Sequence, residues 1–178
     1  SQRADMAQFK NESSVNLKLS QKRLDEEKER LEKYKLLEKS IGENKNLFEP
    51  NDVEFYTLYT EYETKVKQLE MQKDQKSNNY KKMEELYEVG GISQKDLEDA
   101  KNQMELAAID LDRYNKEYIL NIKSNIRQTT QNIEEAKAVM EKSGLATQMY
   151  DDKLIDKELV LEKMKIDMLV QIEDQLSI

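Results

Sequence analysis

Phe55, Tyr59, Tyr62, Val66, Leu69, Lys73, Lys76, Tyr80, Met83 and Tyr87 recur at alternating intervals of four and three residues. No other feature restricts the chain so tightly. A seam repeating every ~3.5 residues stays on one face of an α-helix and is narrow enough for a single neighbouring helix to cover. Lys73 and Lys76 interrupt it, at positions where lysine stems can pack while the ammonium groups reach water. The tyrosines on it read as packing residues rather than ligand-binding ones, because a regular seam forms no pocket.

The rest of the chain reads the same way. Charged residues make up 37% and aromatics 7% of it, too little apolar material for a thick globular core. Disorder shares that composition, but four glycines, one proline and the periodic seams favour long helices. Four helical segments are expected, at about 5–40, 52–89, 93–142 and 146–176. The first carries a sparse stripe of Leu17, Leu24 and Leu31, supported by the i,i+4 pairs Glu26–Arg30 and Glu29–Lys33. Residues 40–52 read as a linker, with Gly42 as a C-cap, Pro50 as a breaker and Asn51 or Asp52 as the next N-cap. In the third segment the seam Leu97, Ala100, Met104, Ala107, Leu111, Tyr114, Tyr118 shifts phase at Ile122, a stutter that locally unwinds a supercoil. Residues 141–147, with Gly144 as cap, are expected to break the helix again. The last segment carries two apolar stripes, one through Ile155, Leu159, Ile166, Leu169 and Leu176 and one through Leu154, Leu161, Met164, Met168 and Ile172. That arc is wide enough for more than one neighbour.

The stretch Glu85–Ala100, ELYEVGGISQKDLEDA, turns the chain around. Gly90 and Gly91 supply positive φ for a glycine cap, Ser93 is placed as N-cap with Asp96 three residues on, and Ile92 and Leu97 have the spacing of a hydrophobic staple. So short a connection makes the flanking helices antiparallel. Reflection about 90.5 then sets Tyr62 beside Tyr118 or Ile119 and Phe55 near Ile126, and it brings the two breaks to similar levels. The expected fold is all-α: a long antiparallel coiled-coil helical hairpin, residues 1–178, with its tip at 90–93 and a mid-length joint. An extended hairpin is favoured over a folded four-helix bundle, because both joints fall at similar distances from the tip.

Composition also excludes function classes. The net charge is −8, unsuited to nucleic acid, where affinity rests on cationic contacts to phosphate. With no cysteine and no histidine, disulfides, thiolate chemistry and the commonest general base and metal ligand are absent. No enzyme, cofactor or metal is expected. No 18-residue apolar run spans a membrane and no signal peptide is visible. A chain opening at Ser1 without methionine reads as part of a longer protein.

The tip resembles that of the haemolysin-D-type membrane fusion, or periplasmic adaptor, family, over about fifteen residues: Leu86, Gly90-Gly91, Ile92, Ser93, then Asp96-Leu97-Glu98-Asp99-Ala100. In that family a helical hairpin is inserted between the halves of a lipoyl-like β domain, and it serves exporters as a spacer and conduit. The resemblance implies an ABC exporter in the cytoplasmic membrane as partner, lateral packing of hairpins into a homo-oligomer, and an extracytoplasmic place with an anchor outside these residues. It implies partner binding at the tip through Lys82, Leu86, Gly90, Gly91 and Ser93. In Gram-negative members an arginine, a leucine and a serine engage an outer-membrane channel. Leu86 and Ser93 keep that spacing, but Lys82 replaces the arginine and lacks its planar fork. With 24 lysines to five arginines as well, the resemblance points to Gram-positive accessory proteins of bacteriocin or peptide exporters. A coiled-coil rod unrelated to export explains the heptads and the capped turn equally well. A helical pore-former is disfavoured by the charged tip.

Overall fold

The computed structural model describes residues 1–176, with side chains except those of 146, 147 and 150. The chain is all-α, and three helices are described: α1 (Gln2–Glu43), α2 (Val53–Glu88) and α3 (Gln94–Leu176). No helix among the described residues is long and apolar enough to cross a membrane. The chain forms two compact units, Glu29–Thr129 and Ser1–Lys28 with Thr130–Ile178.

The unit Glu29–Thr129 holds the thickest packing. Phe55, in the first turn of α2, is only 1% exposed. Tyr34 of α1 meets its ring edge-on at 5.2 Å, Phe48 lies at 5.4 Å, and Leu37, Ile41, Tyr59 and Ile122 of α3 complete the cluster. Burying such side chains stabilises by about 1.5–3 kcal/mol each. Three helices contribute because α2 does not start where α1 stops. Lys33 pairs with Asp52 at 3.4 Å and Arg30 with Glu54 at 3.9 Å, so the start of α2 lies beside residues about ten positions before the end of α1. Further on, Asn44 shares a surface groove with Tyr59, Tyr62, Glu63 and Val66. The two helices therefore overlap side by side in the same direction, and both lie on α3.

Residues 44–52 make this step back. α1 ends with Asn44 at φ 54, while Asn44 N–H donates to Ile41 O at 3.3 Å and Lys45 N–H to Ser40 O at 3.1 Å. This is the paired pattern of a Schellman cap. Asparagine, not Gly42, takes the left-handed position, and Gly42 remains inside the helix. The segment is also no mere linker. Phe48 enters the core, Asn46 Oδ1 accepts from Phe48 N–H at 3.1 Å, and Asn46 Nδ2 donates to Tyr56 O at 3.2 Å. Ser40, fully buried, donates to Leu36 O at 2.8 Å and accepts from Leu47 N–H at 3.2 Å. Pro50 stands at the second position of a turn closed by Asp52 N–H to Glu49 O, 3.0 Å. Asp52 then caps α2, its side chain accepting from Phe55 N–H. Burial opposes the charge on Lys33, but its pairing with Asp52 and Glu29 outweighs that and raises its pKa.

Towards the tip, α2 and α3 run antiparallel. Tyr62 and Tyr118, paired by the reflection, have ring centroids 4.6 Å apart. Tyr62 Oη donates to Asn115 Oδ1 at 2.7 Å and Tyr118 Oη to Leu58 O at 3.4 Å. Burial, then neighbouring Tyr114, Glu61 and Tyr62, push the Tyr118 phenol up to about 12. Beyond this cluster Leu69 and Ala100 are buried, whereas Lys73 and Lys76 are exposed, so the seam thins.

In the other unit, residues 2–28 of α1 run antiparallel to α3. Glu27 accepts from Asn132 at 3.3 Å, Lys10 pairs with Asp151 at 2.8 Å, and Arg3 with Glu158 at 3.1 Å. Leu24, Ile133 and Ala136 are buried between them.

The expected break at 141–147 is absent, and the two segments 93–142 and 146–176 are one helix. Gly144 does not adopt a positive φ, and a Cβ built on it meets nothing within 4 Å. One helical glycine costs only about 1 kcal/mol and no proline follows, so the helix continues. Gly144→Ala is therefore expected to raise stability by about 0.5–1 kcal/mol in urea unfolding. A left-handed cap at this position would make the same change destabilising.

Candidate functional site: the capped reversal at 89–93

The tip is built by two sets of local hydrogen bonds. Gly90 has φ 75, a conformation costly for any residue with a Cβ. Gly90 N–H donates to Tyr87 O at 3.0 Å and Gly91 N–H to Leu86 O at 2.7 Å, again the paired Schellman pattern. Val89 is thus the C-cap. Gly91, expected to share the positive φ, does not adopt one; it lies close against Leu86 instead. A Cβ there would stand 3.2 Å from Leu86 O and 3.5 Å from Leu86 Cδ2. The chain then enters α3 through Ser93, whose Oγ accepts from Asp96 N–H at 3.1 Å while its carbonyl accepts from Leu97 N–H at 3.2 Å. The two glycines and the serine therefore occupy the backbone roles their chemistry suits.

What the tip presents to solvent is apolar. Leu86 is 45%, Tyr87 42% and Val89 80% exposed. Around them residues 81–99 carry six acids against three lysines, a net −3. Lys82, Gly90, Gly91 and Ser93 are exposed as well, while Ile92 and Leu97 are half-buried. Leu86 faces two ways, since its backbone closes the cap and its side chain lies against Gly91. Val89, the most exposed of the three apolar residues, did not figure in the reading of the sequence. Its signal was available: an apolar residue at the C-cap, directly before the left-handed glycine, has no helix face left to bury it.

Chemically, such a tip is suited to docking. It offers a hydrogen-bonded reversal, a small apolar cap and an acidic surround. Among the described residues no group of acidic side chains is spaced to hold a metal ion.

A family model described as "LcnD-like, long helical bundle domain" matches residues 1–177. No curated protein and no solved structure matches the chain.

The caps predict a graded response. Gly90→Ala is expected to cost about 1–2 kcal/mol through its positive φ, and Ser93→Ala about 0.5–2 kcal/mol through the lost N-cap. Val89→Ala should be nearly neutral. Urea unfolding of the three variants checks the order, and an equal loss at Val89 would contradict this assignment of roles.

Proposed function

The chain belongs to the LcnD-like long helical bundle family, and from that premise we propose that it is the non-catalytic helical arm of an export adaptor. The family suggests an accessory role in bacteriocin export. On this reading the arm works outside the cytoplasmic membrane with an ABC exporter that secretes a peptide, bacteriocin or protein. It acts as spacer and conduit, with neighbouring copies packed side by side. Lys82, Leu86 and Ser93 lie at the contact with the partner, on the reversal set by Gly90 and Gly91.

The observation that carries the reading is the exposed apolar cap of Leu86, Tyr87 and Val89 at the reversal. A turn that only joined two helices would need the glycines and the serine, but not three apolar side chains in water. Contiguous exposed apolar patches rimmed by polar residues mark sites of protein contact, and these three side chains cluster on one reversal within an acidic surround. The length of uninterrupted helix in α3 and the absence of histidine and cysteine support a spacer over an enzyme.

Val89→Asp in the full-length protein of a producing strain tests this. Export is expected to fall about tenfold, the equivalent of one lost contact of ~1.4 kcal/mol, with helicity and protein level unchanged. Leu86→Ala should act in the same direction. Normal export with both variants present would make the tip a simple turn and favour a coiled-coil rod unrelated to secretion.

A further inference from the structure

The hairpin of α2 and α3 is packed unevenly along its length. On α2 every residue from Glu70 to Lys76 is exposed, seven in succession, which is about two turns of helix without a packed side chain. Just before them Tyr62 and Leu69 are buried and Val66 is half-buried. Lys73 and Lys76 hold the two seam positions of this stretch. The reflection that pairs Tyr62 with Tyr118 sets Lys73 at the level of Ala107 and Ala108. The seam there joins lysine stems to the smallest apolar side chains of α3. Charged residues at such positions fix register at a cost in stability, and two in succession also repel each other.

Nothing polar replaces the missing apolar contact. Among the described residues, no side chain from Gln68 to Ile92 takes part in a hydrogen bond or an ion pair. Tyr62 with Asn115 and Tyr118 with Leu58 O are the last side-chain hydrogen bonds between the two helices before the tip. Farther on, Tyr80, Met83, Ile92 and Leu97 are only half-buried, and Ala100 is the one buried residue among those described between 70 and 121. In the core, by contrast, Phe55 is 1% and Ile122 2% exposed. A helix in water owes most of its stability to packing. Segments with few buried apolar contacts are the ones that open at low free energy while the rest stays folded.

We propose that Lys73 and Lys76 form a built-in weak point, through which the distal hairpin, residues 70–111, opens as one cooperative unit while the core around Phe55 stays folded. The lysines keep the distal seam from joining the core, so the reversal at 89–93 moves without disturbing it. The inference stands on burial and seam chemistry and does not depend on the export reading.

Hydrogen exchange of the chain of residues 1–178 under native conditions, read by mass spectrometry, tests this. Helical amides of 74–88 and 98–108 are expected to exchange at least about a hundredfold faster than those of 58–66 and 115–126. Lys73→Leu combined with Lys76→Leu completes the seam. It should slow exchange at least about tenfold across the distal parts of both helices, with the core unchanged. Asp74→Leu adds the same apolar side chain off the seam and should leave exchange as it was. Wild-type protection of the distal amides equal to that of the core would overturn the proposal, and this comparison needs no variant. So would a gain confined to the residues beside 73 and 76, or an equal gain from Asp74→Leu.

Discussion

The overlap of α1 and α2 on α3 is the constraint on which the unit Glu29–Thr129 depends. Two antiparallel helices with heptad seams share a stripe only one or two side chains wide, and a chain with 37% charged residues has little else to bury. Stepping back by about ten residues lays a third helix alongside the pair. Phe55 can then be enclosed by Tyr34, Phe48 and Ile122 together. Residues 44–52 carry the cost of this arrangement, because their backbone leaves the helix beside an apolar core. Ser40, Asn46 and Asp52 offset that cost by satisfying amides and a carbonyl of the step and of α2. An unpaired buried amide would cost about 1–3 kcal/mol.

From that core towards the tip, packing gives way to local chemistry. The tyrosine cluster around Tyr62 and Tyr118 is the last broad contact, and past Leu69 the seam holds exposed lysines. The reversal keeps its geometry through backbone hydrogen bonds instead. The same Schellman pattern ends α1 at Asn44 and α2 at Gly90. At the first site a core surrounds the turn, and asparagine tolerates the left-handed position there. At the second the chain turns tightly against Leu86, and a Cβ on the adjoining Gly91 would stand only 3.2 Å from Leu86 O. The tip therefore depends on local hydrogen bonds at the end of a thinly packed pair of helices.

What could be read from the sequence was what depends on neighbours in the chain. The seam from Phe55 to Leu69, the N-cap at Ser93, the left-handed Gly90 and the pairing of Tyr62 with Tyr118 all follow from periodicity and hydrogen-bond chemistry, whereas Lys73, Lys76 and Tyr87, read as continuing the seam, are exposed. Gly144 misled because a glycine in a polar stretch looks like a cap, and whether it ends a helix depends on what its neighbours do. The linker reading of 40–52 failed for a tertiary reason. Phe48 fills a space that exists only once α1 and α2 overlap, and no local pattern announces an overlap. The tip's backbone roles were legible while its exposed surface was not, since Val89 is defined by where the helix stops burying residues.

Because the chain has no cysteine, spin labels at Arg30→Cys and Glu54→Cys report on the overlap directly. These half-exposed side chains approach to 3.9 Å. The account predicts a single short distance between the labels, limited by the label arms. If α2 instead began beyond the end of α1, the labels would lie at least ~20 Å farther apart, the rise of the thirteen residues from 30 to 43. That result would contradict the overlap and the core built on it.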